Sequence, residues 1–262
     1  MVDYIRQIYK ARHLLYHLSL YDLNQKYRRS FLGILWAILQ PLGMALLLAL
    51  VLGSVFEMEV SEYVPYIFSG LIFWEFVSSS AVGGCQVFRF SQYYIRQCTL
   101  PSMIYTLRHS LGGMINFVLA LLGLILWVLV AMPQNFGITW LTLLPATVLL
   151  FLCLWPMATI SAYIATWFYD FSQLVGLALQ ALFFVSPVFL KPQVFLESKY
   201  GLGFLVHYNP VFHGLELFRA PLLHGSWPAP ESVLFSLATC MALWAIASVM
   251  VWRGERTLIF HY

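Results

Sequence analysis

Charged residues are scarce in this sequence of 262 residues. Asp, Glu, Lys and Arg together make up 10% of it, whereas hydrophobic residues make up 61%. A typical soluble domain carries about 25% charged residues. With a mean hydropathy of +0.80, the composition excludes a water-soluble domain and predicts a single membrane domain over residues 1–262.

The sequence also lacks the motifs of several catalytic sites. No G-x-x-x-x-G-K-[ST] pattern and no Gly-Lys dipeptide occur, so the loop that binds nucleotide phosphates in P-loop ATPases is absent. If ATP is used, another chain hydrolyses it. No CxxC pair occurs, and three histidines of one loop are spaced too widely to share a helix face, so we expect free thiols and no metal site. The cysteines are Cys85, Cys98, Cys153 and Cys240, and the histidines are His207, His213 and His224.

Long stretches without charge predict six membrane-spanning helices. A helix that rises about 1.5 Å per residue crosses a hydrocarbon core of about 30 Å in about 20 residues. The stretch from His109 to Tyr169 is too long for one crossing, and residues 132–137 interrupt it with Pro133 and Gly137. It is therefore divided into spans three and four. The other predicted spans are residues 30–56, 63–84, 171–190 and 232–252.

Basic residues predict that both termini lie in the cytoplasm, because short loops rich in Lys and Arg remain inside. The only basic residues assigned to the outside are Lys191, Lys199 and Arg219. Within residues 1–29, basic residues recur at helical spacing on one face and apolar residues on another, which predicts an amphipathic helix on the cytoplasmic leaflet. A soluble helix that packs on a partner is the alternative. Residues 30–253 form the predicted membrane domain, and residues 254–262 form a cytoplasmic tail.

Few residues inside the predicted spans are chemically distinctive. Glu75 is the one charge within a span, and it is interpreted either as a polar contact in a transport pathway or as a hydrogen bond to a neighbouring helix. Aromatic side chains can pack against the C–H face of a sugar ring, although most such rings only fill a helical bundle. The candidate channel residues are Phe73, Trp74, Glu75, Gln180, Phe183 and Phe184.

Three motifs stand out along the sequence. The first is the basic run, Leu-Gly, Leu-Trp and Gln-Pro at the start of span one, with Arg28, Arg29, Gly33, Trp36, Gln40 and Pro41. The second is the loop before span three, with Arg89, Tyr93, Tyr94, Arg96, Leu100 and Pro101. The third follows span five and contains Pro187, Asn209, Pro210, Glu216 and Arg219. Together, in this order, the motifs resemble the ABC permeases that export O-antigen, capsular polysaccharide and teichoic acid.

The resemblance implies a role for each motif. The loop before span three would carry a coupling helix that docks on an ATPase, and the motif after span five would form short re-entrant helices at the periplasmic side. Pro210 and a predicted Glu216–Arg219 pair make residues 201–223 unsuited to a full span. Two copies of the chain would pair with two ATP-binding subunits, which hold ATP and Mg²⁺, and this chain would bind no cofactor of its own.

Other functions remain as alternatives. An ABC exporter for a different amphipathic substrate shares the plan of six spans. A secondary carrier is expected to show repeated halves and several buried charges, and the sequence offers one Glu75. A membrane-embedded glycosyltransferase is expected to carry acidic clusters, whereas Asp3, Asp22, Asp170 and Glu255 are isolated. The small net charge of +3 favours membrane lipids over nucleic acid as a partner.

Overall fold

The structure is a computed structural model, and it describes residues 30–56, 59–97, 100–199 and 201–261 together with four positions before them. Those four positions are Leu15, Leu18, Asp22 and Arg28. Regular structure in the described residues is helical, and no strand occurs among them. The predicted all-α class is confirmed. The predicted N-terminal amphipathic helix, residues 1–29, lies outside the described residues apart from these four positions.

Five long helices follow the stretches that have little charge. They are α1 (Trp36–Phe56, after a 3₁₀ turn at Gly33–Leu35), α2 (Val60–Ser78), α5 (Met103–Ala131), α6 (Leu143–Trp167) and α11 (Pro230–His261). Each overlaps a segment that is long and apolar enough to cross a membrane. The predicted break at residues 132–137 is confirmed, because 3₁₀ turns at Pro133–Asn135 and Ile138–Thr142 separate α5 from α6.

The predicted fifth span is shorter than expected. Helix α7 runs from Phe171 to Val185, not to residue 190. Ser186 is extended, with φ −92° and ψ 148°, because a residue before proline avoids the helical region and Pro187 follows. A 15-residue helix is about 22 Å long, less than the hydrocarbon core. Five helices in the described residues therefore meet the length for crossing, and the count of six stays a prediction.

Short helices occupy the segment between α7 and α11. They are α8 (Pro192–Leu196), α9 (Phe204–His207) and α10 (Pro210–His224). Asn209 caps α10, since its side chain accepts a hydrogen bond from Val211 N at 2.9 Å. Gly225 ends α10 with φ 60°, the left-handed conformation that suits glycine. Residues 201–223 thus form no full span, and their re-entrant course stays a prediction.

Helix α2 lies at the centre of the bundle. In the most apolar, membrane-spanning part of each helix, 61% of the residues are buried inside the bundle in α2, whereas 11% are buried in α1 and 17% in α11. Helices α1, α5 and α10 pack on α2, and α11 packs mainly on α6. Helix α11 continues through the predicted tail boundary at residue 253 as far as His261. Two short helices, α3 (Val87–Phe90) and α4 (Gln92–Gln97), join α2 to α5.

Candidate functional site

Arg219 of α10 is completely buried, and its guanidinium group uses all five of its N–H donors. Its acceptors are Ser69 Oγ (3.1 Å), Tyr66 OH (3.0 Å), Tyr66 O (3.1 Å), Pro187 O (2.7 Å) and Val188 O (2.7 Å). The guanidinium carbon also lies 3.7 Å from the centre of the Tyr66 ring. A buried charge is tolerated when its donors are satisfied in this way. Arg219 therefore ties α10 to α2 and to the chain that leaves α7.

The predicted pair between Glu216 and Arg219 is wrong. The two charged groups form no ion pair in the structure, in which both side chains are described, and Glu216 is only half-buried. Residues three apart on a helix share a face, but Arg219 extends away from its own helix. The carbonyl groups of Pro187 and Val188 are nearer acceptors for a planar, forked donor.

Other predicted residues meet Arg219 at one turn, Ser186 to Leu190, which we call the 186–190 turn. Asn209 donates from Nδ2 to Ser186 Oγ at 2.9 Å, and Pro210 follows it as the first residue of α10. Tyr63 OH donates to Phe189 O at 2.8 Å, and Tyr66 OH lies 2.8 Å from Leu190 O. Of the predicted group, Pro187, Asn209, Pro210 and Arg219 come together here, whereas Glu216 does not join them.

A second feature is a cleft between α1, α2 and α5 in which several polar side chains stand among apolar ones. It consists of adjoining cavities of about 120 Å³ and about 460 Å³. Both cavities are lined by Gln40, Pro41, Glu75 and Ser79; Trp36 and Asn116 line only the first, and Trp74 and Ser78 only the second. We call this feature the Glu75 cleft. The predicted residues Trp36, Gln40 and Pro41 from the start of span one thus meet the predicted channel residues Trp74 and Glu75.

Local backbone geometry shapes both sides of the Glu75 cleft. Gly33 has φ 50°, which explains the glycine of the Leu-Gly motif. Ser30 Oγ accepts hydrogen bonds from Gly33 N at 3.3 Å and Trp36 Nε1 at 3.0 Å. Helix α2 ends in a π-helical turn, Ser79–Gly83, and His109 Nε2 lies 3.0 Å from Ser79 O. Such turns free carbonyl groups and are frequent at functional sites.

The predicted aromatic channel residues divide into two places. Trp74 contacts Phe183 edge to face with ring centres 5.3 Å apart, and Phe184 contacts Phe183 at 5.6 Å. Phe184 and Gln180 are exposed on α7. Phe73 is instead buried on another face of α2, where it packs on Phe218 and lines an apolar cavity of about 210 Å³.

The predicted coupling segment lies on its own hydrophobic cluster. Phe88 is fully buried and packs edge to face on Tyr163 of α6, with ring centres 5.2 Å apart. Leu100 contacts the same cluster, which also contains Val251 of α11. Ser102 N donates to Glu255 Oε1 at 3.2 Å, so the start of α5 is also bonded to α11. A displacement of this segment would therefore reach α5, α6 and α11 directly.

The outer side of the segment is exposed. Phe90 and Tyr93 are 80% and 67% exposed, and Tyr94 packs edge to face on Tyr93. Arg89 Nη1 donates to Tyr169 OH at 3.1 Å, between α6 and α7. Pro101 is buried beside the exposed surface, and the Arg96 side chain lies outside the described part of the chain. Arg28 is exposed, and Arg29 lies outside the described residues.

Comparison with known proteins places the chain in a family. Residues 13–223 match the family model described as ABC-2 type transporter. The chain belongs to the ABC-2 type transporter family. The match confirms the predicted resemblance to ABC permeases.

Curated relatives of this ABC-2 protein extend the comparison over nearly the whole chain. The chain is 27% identical over 258 residues to the O-antigen export system permease protein RfbA of Myxococcus xanthus, covering 97% of this chain and 98% of that protein. It is 20% identical over 207 residues to the protein of the same name in Klebsiella pneumoniae, covering 78% of each. No group of three or more His, Cys, Asp or Glu side chains that could hold a metal ion occurs in the described part of the chain.

Sequence reasoning missed the α2 side chains that hold the 186–190 turn. Tyr63, Tyr66 and Ser69 recur every three residues within an apolar span, and this spacing places their polar groups near one face of a helix. That stripe is a usable signal for a polar contact. It does not identify the partner, because Arg219 is 150 residues away from Ser69 along the chain.

Proposed function

We propose that this ABC-2 protein is the membrane permease subunit of an exporter that moves a lipid-linked polysaccharide from the cytoplasm to the far side of a bacterial inner membrane. The observation that carries the proposal is the family match over residues 13–223, together with relatives named as O-antigen export permeases that align along most of the chain. The Glu75 cleft supports it, since it offers polar groups within helices that are otherwise apolar.

The energy comes from a separate ATP-binding subunit in this proposal. The sequence contains no P-loop, so ATP and Mg²⁺ are bound on that partner and not on this chain. Two copies of the chain would assemble with two ATP-binding subunits. The low burial of α1, 11% in its spanning window, supports a helix that faces lipid or a second copy.

The segment from Arg89 to Pro101 is the proposed contact with the ATP-binding subunit. Its exposed rings at Phe90, Tyr93 and Tyr94 supply an aromatic surface, and aromatic residues are enriched in protein interfaces. The hydrophobic cluster beneath it would transmit movement to α5, α6 and α11. With the termini in the cytoplasm, as the basic residues predict, this segment lies on the same side as the ATP-binding subunit.

The route of the glycan follows from the same orientation. The glycan would enter at the cytoplasmic leaflet and pass the Glu75 cleft and the rings of Trp74, Phe183 and Phe184. The 186–190 turn and α10 would close the periplasmic end. The hydrogen bonds of Arg219 support this assignment, because they hold the backbone of the turn in one conformation. An ATP-driven change elsewhere in the complex would then open or close this end of the channel.

Reconstitution tests the proposal. The chain is purified with and without the ATP-binding subunit of the same bacterium and placed in proteoliposomes that contain a polyprenyl-diphosphate-linked glycan. We expect glycan transport only when both subunits and hydrolysable ATP are present, and no ATP hydrolysis by the chain alone. Transport by the chain alone without ATP would contradict the proposal and favour a secondary carrier. Transport of a non-glycan amphiphile in place of the glycan would favour a different ABC exporter.

A further inference from the structure

The Glu75 cleft contains an acidic group in an unusual position. The Glu75 carboxylate is exposed, although Glu75 lies within the spanning segment Val60–Gly83. No ion pair to Glu75 occurs in the part of the chain that the structure describes. A carboxylate at membrane depth costs on the order of 3 kcal/mol unless water or a ligand solvates it. The Glu75 carboxylate therefore needs a polar ligand or water in the cleft to solvate it.

The other polar groups that line the cleft in the described part of the chain are neutral. They are the side-chain amides of Gln40 and Asn116 and the hydroxyls of Ser78 and Ser79, and no Lys or Arg among the described residues lines it. Amides and hydroxyls both donate and accept hydrogen bonds, whereas an ionised carboxylate only accepts them. A ligand of this site must therefore present donors to Glu75. Phosphates and carboxylates present acceptors and a like charge, so they are the wrong chemistry for it.

Two indole rings accompany the polar groups. Trp36 lines the smaller cavity and Trp74 the larger one, and the larger cavity of about 460 Å³ opens between α1 and α2. Pockets for small ligands measure roughly 300–1,000 Å³. An indole face packs against apolar C–H groups, while amides and a carboxylate pair with hydroxyls. Rings that carry many hydroxyl groups and no charge combine these two properties.

We infer that the Glu75 cleft is a binding subsite for neutral sugar rings, in which Glu75 accepts hydrogen bonds from sugar hydroxyls and discriminates against acidic sugars and phosphate groups. The inference rests on the proposed function and narrows its substrate class. A hydroxyl that donates to Glu75 gains a charge-assisted bond, whereas a uronic acid at the same place meets a negative charge away from bulk water. The expected preference for the neutral ring is at least about tenfold.

The test uses the complete complex of permease and ATP-binding subunit in nanodiscs of phosphatidylethanolamine and phosphatidylglycerol. The probes are a polyprenyl-diphosphate-linked trisaccharide of hexoses and the same molecule with each hexose in turn replaced by a hexuronic acid. The readout is the probe concentration that gives half-maximal stimulation of ATP hydrolysis. We expect at least one uronic probe to need about tenfold more than the neutral one, and Glu75→Gln to reduce this ratio to within about threefold.

Glu62→Gln is the matched control. Glu62 is an exposed carboxylate in the first turn of the same helix and lines neither cavity, so its variant should keep the wild-type ratio. Equal responses of the wild type to all probes, or an unchanged ratio in Glu75→Gln, would overturn the inference and leave the proposed function intact. If no probe stimulates the assembled complex, the proposed function itself fails and the inference falls with it.

A second measurement addresses the contact between copies. Glu75 could instead accept a hydrogen bond from another copy of the chain. Two differently tagged copies are therefore co-purified as wild type and as Glu75→Gln. We expect equal recovery of the second tag, because a ligand-binding carboxylate is not needed for pairing. A loss of the second tag in the variant would assign Glu75 to the contact between copies and overturn the inference.

Discussion

The 186–190 turn and the Glu75 cleft differ in how their charged groups are paired. At the turn, Arg219 places five hydrogen bonds, and Tyr63, Tyr66 and Asn209 fix neighbouring groups. The cleft is open, and its carboxylate is exposed. Helix α7, which leads to the turn, buries only Leu179 along its length. The closely bonded turn is thus set apart both from the open cleft and from the exposed helix that precedes it.

This difference separates two kinds of residue. Polar groups that are buried and paired stabilise the fold, and their removal leaves partners unsatisfied. Polar groups that line open space contribute little to stability and remain available to a ligand. Substitutions at the turn should therefore lower stability first, whereas substitutions at the cleft should alter transport and leave stability nearly unchanged.

The largest effect is expected for Arg219→Ala. The variant leaves the carbonyl group of Val188 without its donor and removes one of the two donors to Pro187 O, the other being Tyr66 OH. Each unsatisfied buried group costs about 1–3 kcal/mol. We expect the free energy of unfolding to fall by about 3 kcal/mol, measured by SDS titration in mixed micelles. Arg219→Lys should recover only part of it, because an ammonium group lacks the planar fork.

Glu216→Gln is the control for Arg219. It lies three residues away on the same helix and forms no ion pair with Arg219. Its effect on the free energy of unfolding should stay within about 0.5 kcal/mol. A loss of unfolding free energy equal to that of Arg219→Ala would indicate that Arg219 stabilises the protein through an ion pair with Glu216, as the sequence predicts. The hydrogen bonds of Arg219 to the 186–190 turn would then not be the source of its stabilising effect.

The next effect is expected for Gly70→Ala. A Cβ atom at Gly70 would lie 2.1 Å from Val188 O and 2.9 Å from Arg219 Nη2, both of which are fixed by hydrogen bonds. Overpacking of a closed site costs about 1–3 kcal/mol, and we expect about 2 kcal/mol in the same titration. Gly43→Ala in α1 is the control, because its Cβ meets nothing within 4 Å. Equal losses in both variants would indicate a general effect of glycine in these helices.

The helices were predictable because lipid imposes a strong rule on sequence. A helix that crosses a membrane must be apolar along most of its length, so stretches with little or no charge mark α1, α2, α5, α6 and α11. Pro133 and Gly137 mark the break between α5 and α6. The short α7 was harder to predict. Its apolar composition continues to Leu190, and only the effect of Pro187 on Ser186 ends the helix at Val185.

The partners of the site residues were not predictable from spacing. The spacing of Glu216 and Arg219 suggests an ion pair, yet Arg219 bonds to a turn about thirty positions earlier and to α2. Gln40 is predicted as a site residue because it belongs to the motif at the start of span one, and Glu75 because it is the one charged residue within a predicted span. That these two side chains line one cleft depends on how α1 packs against α2, which no local pattern encodes.

The smallest effect on stability is expected at the cleft, and Gln40→Ala measures it. Gln40 is exposed and lines both cavities, so its loss should change the free energy of unfolding by no more than about 0.5 kcal/mol. If the cleft binds the glycan, the half-maximal concentration of the neutral probe should rise by about threefold, because one neutral hydrogen bond is lost. Gln180→Ala is the comparison, since Gln180 is exposed on α7 and lines neither cavity. A larger rise in the half-maximal concentration for Gln180→Ala than for Gln40→Ala would place the glycan route on the exposed face of α7 and not in the cleft. A large loss of stability in Gln40→Ala would remove the contrast between the 186–190 turn and the Glu75 cleft.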